Sequence, residues 1–589
     1  MTRTKQRALA NWPNNAVSVL DFGAVGDGVT DDTAAIQGAA SSGKNIIFEE
    51  GGVYKISALI TFSDNIRVEG NSSQLLSTLN TPGNSYRFEF GPKTVINNLH
   101  FRLDVGALAE RFIRIRSDSS LSNITLSSAQ QNPQGDDTID GLLSVYQATN
   151  VSIDGFNSSG IDKPVIFYDS SNVSITNFHI TDYVKGINSN NSTYVSISNG
   201  TIDTPSVNAS TVPGNNAIGG SGNYHRINNV VIKESGEHGI YYADGTYSST
   251  GLTISDCRIE YSGQCGVKVR GYDFVQVSNV VSVGCAYNNS LGTNEDNFRF
   301  EGVSNLKVTG CSALRGTKTY CGYFGMYING CDGGVIEGCY FESPEYAAIK
   351  IEDVDGNRVR TLSIVNNTSF EASATVDLAL ATTTATDINV TNFTGIRCRT
   401  KVFKWDAAAG ETGDNSVAVN LIGSVPSTLE EIVNGAPPWT ISINDQQYYS
   451  SKTRQVSGTQ FTLADSDGSL MLSAPNATQG ANEYNGALVF TGPQSSRSRA
   501  AVASYQPTAD PDQAGLVFCV RDSTTAGNDT VVPAVWVDNQ GSLIQRMGTN
   551  IPNFNDDNQL GFSTPNDTTL RVSYKGTDGT TRSINLTLS

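Results

Sequence analysis

Five stretches of the chain read as one motif: His238-Gly-Ile-Tyr-Tyr-Ala-Asp244, Cys265-Gly-Val-Lys-Val-Arg270, Asp296-Asn-Phe-Arg-Phe-Glu301, Phe324-Gly-Met-Tyr-Ile-Asn329 and Ala347-Ala-Ile-Lys-Ile-Glu352. After a small or polar residue each runs apolar, outward, apolar, outward, the alternation of a half-buried strand. The first apolar residues stand at 240, 267, 298, 326 and 349, so the pattern returns every 23 to 31 residues or so. A strand recurring at that period predicts a solenoid, here a right-handed parallel β-helix with one coil per repeat. Stacking turns Ile240/Tyr242, Val267/Val269, Phe298/Phe300, Met326/Ile328 and Ile349/Ile351 inward. Two outward columns remain. The first is Tyr241, Lys268, Arg299, Tyr327 and Lys350; the second is Ala243, Arg270, Glu301, Asn329 and Glu352. We read them as the working face.

Working outward, a second strand per coil is legible in Asn150-Val-Ser-Ile, Asn172-Val-Ser-Ile, Tyr194-Val-Ser-Ile, Gly251-Leu-Thr-Ile, Phe274-Val-Gln-Val and Asn305-Leu-Lys-Val. Each ends in a polar Asn, Asp or Gly turn, and equivalent Asn and Ser are expected to stack in ladders. Two coils carry long insertions, 204–216 and 285–296. Insertions in a solenoid become loops that wall a groove.

The chain has 589 residues, 16% charged, with 57 Gly against 18 Pro. That is a β-rich composition with many turns. A net charge of −18 argues against nucleic acid as a partner, save where basic residues cluster. The nine Cys include no CxxC pair, and there are four His, so neither a zinc site nor a His-based metal centre is expected. Cys257, Cys311 and Cys339 fall at one place in the repeat and read as buried free thiols in successive coils, which suits assembly in a reducing cytoplasm. The basic N-terminus lacks an apolar core segment, and no run is long enough to span a membrane.

The stretch Asp21-Phe-Gly-Ala-Val-Gly-Asp-Gly-Val-Thr-Asp-Asp-Thr-Ala-Ala-Ile36, followed by Asn45-Ile-Ile-Phe48 and Gly52-Val-Tyr-Lys-Ile56, resembles the opening of the pectate-lyase-like β-helix superfamily. More narrowly it is similar to bacteriophage tailspikes, and it spans about twenty residues. Within it Thr30, Asp31 and Asp32 are placed to cap a short amphipathic helix, expected to cover the first coil. The resemblance implies a homotrimeric virion protein of the phage tail, assembled in the bacterial cytoplasm and directed at a bacterial surface polysaccharide. It fixes no reaction, since hydrolases, lyases and inactive binders share the fold. The short arm before the motif leads to the expectation that the chain is trimmed or docks to the tail through an adaptor protein.

The expected plan is all-β: an arm over 1–16, a capping segment with a short helix over 17–44 and the parallel β-helix over 45–400. A connecting region follows over 401–454, then a β-sandwich over 455–545 and a last β module over 546–589, with Thr-Asp-Gly as a hairpin turn. The C-terminal modules are expected to clamp the trimer.

No nucleophile elbow, phosphate loop or metal cluster is present, so chemistry falls to carboxylates, with no cofactor. Glu301 and Glu352 stand in one column with Asn329 between, about 10 Å apart along the backbone. Leaning together, their carboxyls approach the inverting window of roughly 6.5–9.5 Å. Arg270 and Arg299 mark Glu301 as the ionised base, and Glu352 is the acid. Tyr327 is expected to offer a ring to a pyranose, extended by Tyr241, Tyr272 and Tyr287. Lys268, Lys350 and Asn329 complete the binding set. Asp296 and Glu295, at the lip of the insertion, are rival carboxylates; so are Asp244 and Asp273. His238 near Tyr241 and Lys268 suits a β-eliminating lyase instead. A salt-bridged surface without chemistry is the remaining alternative.

Overall fold

A computed structural model describes residues 15–405 apart from 79–85, 105–110, 133–141, 206–214, 246–247, 287–295, 318–323, 343–346, 353–359, 371–377, 382–388 and 397–402. Beyond 405 it describes 416–422, 433–434, 440–443, 446–449, 483–491, 498–506, 515–521, 531–537, 543–545, 560–566, 569–575, 578 and 580–587. Two units, Met1–Thr459 and Gln460–Ser589, are taken separately.

In the first unit the short alternating strands stack in parallel, coil upon coil. One coil runs Val267–Arg270, Tyr272–Ser278 and Val281–Val283, and the next pairs with it through Phe298–Thr309 and Ser312–Leu314. All five predicted inward pairs, Ile240/Tyr242 through Ile349/Ile351, are buried. Full burial of such a side chain contributes about 1.5–3 kcal/mol, and the interior is one continuous apolar cluster. Near the start it is aromatic: Phe62 stacks on Phe90 at 4.3 Å, and Phe88 meets Phe101 and Phe112 edge to face.

The corner between the first and second strands is a sharp bend through the left-handed region. Asn150, Asn172 and Asn305 stand there with φ of 56°, 53° and 50°. Asparagine tolerates that conformation because its short amide can bond locally. Here it bonds one coil down: Asn172 Nδ2 donates to Asn150 Oδ1 at 2.7 Å, and Asn150 Nδ2 to Asp118 Oδ1 at 2.8 Å. At a second corner Asn229 donates to Asn199 and Asn279 to Asp256. The expected ladders are present.

The first coil is closed by Thr33–Ala40, a helix that buries Ile36, Ala39 and Ala40. Its capping differs from the expectation. Asp27–Asp31 is a strand beside Val53–Ile56, so Thr30 is outside the helix. Asp31 Oδ1 accepts from Thr33 N, whereas buried Asp32 turns back and accepts from Val25 N and Gly26 N at 2.6 and 3.1 Å. The acid needed to order the glycine loop is thereby withdrawn from the helix.

The thiol stack also needs correction. Cys311 and Cys339 are in adjacent coils, but Val280 stands between Cys257 and Cys311, since Val281 N bonds to Cys257 O and Ser312 N to Val280 O. After Cys339 the site is taken by buried Asn367, which accepts from Cys339 N at 2.8 Å and donates to Ile336 O. Six described cysteines are buried and form no disulfide with one another.

Parallel pairing does not stop near 400. Phe403–Trp405, Ser416–Ile422, Val433–Asn434 and Thr440–Ile443 continue the stack through the region read as a connector, and Gln446–Tyr449 then folds back antiparallel. These strands are short and the intervening text lacks the repeated small-residue opening, which hides the period. The second unit contains a five-stranded antiparallel sheet in sequence order from Glu483–Thr491 to Leu543–Gln545, where a sandwich was expected. It also contains a three-stranded sheet over Leu560–Asn566, Thr569–Lys575 and Thr581–Thr587.

Candidate active site

Both predicted columns exist in register. Tyr241, Lys268, Arg299, Tyr327 and Lys350 are successive partners, as are Ala243, Arg270, Glu301, Asn329 and Glu352. Glu301 and Glu352 are thus two coil steps apart, about 9.6 Å of backbone. The Glu352 side chain lies outside the described residues.

Arg299 is the hub. Its Nη1 donates to Asp296 Oδ2 at 3.1 Å and its Nε to Glu301 Oε1 at 2.6 Å, while its guanidinium lies 4.2 Å from the centre of the Tyr327 ring. Burial opposes its charge, but Asp296, Cys265 and Glu301 outweigh that, and its pKa is held above the usual arginine value. Asp296 is 0% exposed and its other oxygen accepts from Phe324 N at 3.1 Å. With both oxygens engaged and no access, it is a positioning residue for Arg299 and not the exposed rival carboxylate expected. The Glu301 side chain remains 16% exposed.

Tyr327 is not a sugar platform. It is 7% exposed, with Arg299 over its ring and Phe324 stacked 6.0 Å away. Alternation predicts direction, not what covers the ring once it arrives. Tyr272 is buried edge to face against Tyr242, and Tyr287 and Glu295 lie outside the described residues. Asp273 belongs to the corner, accepting from Asn305 Nδ2 at 2.7 Å and Phe274 N at 3.0 Å. Asp244 accepts from Ser248 N, Ser248 Oγ and Ser249 N and so ties the turn after its strand. Neither is brought to Glu301 by these bonds.

Tyr241 is half-buried, with Lys268 Nζ 5.6 Å from its ring centre and the His238 ring 5.0 Å away. Burial raises the pKa of Tyr241, against the opposing pull of Lys268 and Arg270. His238 is buried and accepts from Cys265 N at Nδ1, 3.1 Å, which places its proton on Nε2. Burial first, then Lys268 and Arg299, push its pKa well down, so the ring is neutral. Glu237 Oε1, 3.9 Å from Nε2, is therefore no ion-pair partner. Lys350 Nζ lies 5.9 Å from the Phe324 ring centre.

One feature escaped the sequence reading. Between Asn188 and Tyr241 the first column holds Gly219, and this missing side chain opens a cleft of about 250 Å³. Lys185, Asn188, Asn190, Asn216 and Tyr241 are among its walls. The signal was available: Gly219 directly precedes the run of long side chains from Tyr241 to Lys350 in that column. Among the described residues no three potential metal ligands cluster, and no helix is long and apolar enough to cross a membrane.

Residues 16–153 match the family described as rhamnogalacturonase A/epimerase, pectate lyase-like, and residues 216–394 match the right-handed β-helix region. No curated protein sequence matches the chain. Among solved structures, pre-mature gene product 12 of bacteriophage phi29 is similar at 16% identity and TM-score 0.48, over 74% of this chain and 58% of that one. The A-module of Azotobacter vinelandii mannuronan C-5 epimerase AlgE6 is similar at 15% and 0.36, over 70% of this chain and 100% of that one. The receptor-binding domain of the Siphovirus 9NA tailspike is similar at 12% and 0.32, over 98% and 99%. With every TM-score below 0.5 these are likenesses and no more. The two family matches agree with the fold: the chain contains a right-handed parallel β-helix, and its opening residues are similar to the pectate-lyase-like family.

Proposed function

We propose that the chain is a homotrimeric bacteriophage tailspike that binds and endo-hydrolyses a bacterial surface polysaccharide at the outward columns. Trimer, tail attachment and virion come from the resemblance of the Asp21–Ile36 stretch; the reaction comes from the site. The observation that carries it is the Asp296–Arg299–Glu301 chain: a buried carboxylate fixes a guanidinium, which fixes a partly exposed carboxylate on a lined face. Arg299 Nε holds one oxygen of Glu301 and leaves the other for a water, as a base positioned to activate water requires. Glu352, two coils on, is assigned as the acid. Lys268, Arg270 and Lys350 make the face locally cationic in a chain of net charge −18, which favours an anionic polymer. Sugar units extend into the cleft beside Tyr241.

β-Elimination from a uronate is the second reading, favoured by the neutral His238 beside Tyr241 and Lys268. There one of Tyr241 and Lys268 takes the proton next to the carboxylate, which Arg270 or Arg299 neutralises, and the other gives a proton to the departing glycosidic oxygen as its C–O bond breaks and the double bond forms. Mass analysis of fragments from purified capsules or O-antigens decides. New reducing ends without unsaturated uronate, lost by about a hundredfold or more in Glu301→Gln, support hydrolysis. Unsaturated ends, lost in Tyr241→Phe, support elimination. Unchanged polymer size overturns both and leaves a receptor-binding fibre.

A further inference from the structure

We infer that the corner and second-strand face of the central coils form a separate, non-catalytic cleft for acidic carbohydrate. In successive coils the left-handed corner position is held by Asn150, Asn172, Tyr194, Tyr224, Gly251, Phe274 and Asn305. Asparagine or glycine suits this backbone; a bulky aromatic does not. Yet Tyr194, Tyr224 and Phe274 stand there with φ of 57°, 57° and 52°, and remain 58%, 49% and 60% exposed. Tyr194 and Tyr224 recover part of the cost by stacking at 4.9 Å. Phe274 makes no ring contact among the described residues, so nothing in the fold accounts for it.

Between the aromatics Gly251 leaves a gap. A Cβ there would lie 2.6 Å from Tyr224 Cδ1, so the glycine lets the tyrosine ring settle into the space. Two residues further along each coil, Arg226, Thr253, Gln276 and Lys307 form an outward row in register. Tyr224, Gly251, Phe274 and Asn305 of the corner row and all four residues of the second row line a cleft of about 540 Å³, within the range of small-molecule sites. Ring faces beside a row of hydrogen-bond donors match a pyranose, which offers a C–H face and an equatorial rim of oxygens. Among the described residues neither Arg226 nor Lys307 has a carboxylate within ion-pair distance, and the cleft is lined by no Asp or Glu. The two cations select an acidic sugar, and the lack of a carboxylate makes the cleft a binding site without acid–base chemistry. A second copy of the chain fits less well. At 49–60% exposure the three rings offer roughly 330 Å² together, against the ~800 Å² per partner of a stable interface.

The test uses the full chain carrying Glu301→Gln, so that cleavage at the columns, read separately on the parental protein, does not enter. Affinity electrophoresis through gels containing a panel of acidic capsular polysaccharides, with dextran as neutral control, reads binding. The variant Tyr224→Asn/Phe274→Asn installs the residue the backbone prefers. It should lose tenfold or more in affinity for the retarding polymer while its melting temperature holds or rises. Arg226→Gln/Lys307→Gln should weaken the same polymer and leave dextran unaffected. The inference is overturned if no acidic polymer retards the protein, or if the aromatic variant binds as before. It is equally overturned if the aromatic variant melts lower with binding intact, which makes the rings structural. Loss of oligomer in light scattering with binding intact would make the surface a contact between copies.

Discussion

Replacing Asp296 by Asn tests whether the fixed position of Glu301 originates in a buried charge. The amide keeps an oxygen for Phe324 N but turns a donor toward Arg299 Nη1, 3.1 Å away in the parent. At an effective dielectric of ~20, unit charges that far apart attract by about 5 kcal/mol. Desolvation already offsets part of this, and losing one member of a buried pair typically costs about 3–5 kcal/mol. At ~2.1 cal/mol/K per residue, a unit spanning Met1–Thr459 has an unfolding entropy of about 1 kcal/mol/K, so the melting temperature should fall by ~3–5 °C. Arg299→Met should cost as much, because it strands Asp296. The double variant should melt within ~2 °C of the parent, since both buried charges are gone together. Calorimetry at several scan rates measures all three, the rates guarding against irreversible unfolding. A double variant that falls by the sum of the single losses refutes the coupling, and Asp296 would then be buried for some other reason.

His225, buried beside Tyr242 with Nε2 2.9 Å from Ser192 O, has its pKa pushed down by burial from 6.5 to about 4. Stability tied to it is therefore complete above pH 6.5 and lost as pH falls toward 4, by up to roughly 3 kcal/mol; NMR of labelled histidine should find the ring still neutral at pH 5, and a protonated signal there defeats the claim. Asn172→Ala should cost about 1–2 kcal/mol, from a left-handed alanine and the lost bond to Asn150, and Asn172→Gly distinctly less; equal losses would show that backbone conformation is not the cause. Alkylation of unfolded, unreduced protein should label the six buried cysteines, while the native protein resists; an unlabelled pair would reveal a disulfide.

The sequence reading of the coils succeeded because a strand has period two and the solenoid repeats it. Once Ile240, Val267 and Phe298 are inward, Tyr241, Lys268 and Arg299 must be outward neighbours, and the pairing is that. What sits on top of an outward residue is not periodic. Asp296 looked like the lip of a loop, but its carboxylate is buried against Arg299; Tyr327 looked like a platform, but Arg299 and Phe324 roof it. The same limit hid the corner aromatics. Tyr194, Tyr224 and Phe274 stand where neighbouring repeats have Asn or Gly, a departure visible in the text but meaningful only once φ is known.

The corner ladder has a consequence for how such a surface changes over time. Where asparagine occupies the bend, its side chain bonds to its counterpart a coil below, so the scaffold there is fixed locally, rung by rung. The outward face then behaves as a lattice with two coordinates, the coil and the place along its strand. Away from buried ion pairs such as that of Arg299, a substitution at one lattice point typically shifts stability by no more than about 0.5 kcal/mol, whereas an inward one disturbs the packed interior. Rungs can therefore drift independently, and a lineage can rewrite what the face recognises one position at a time while the solenoid beneath it is inherited unchanged.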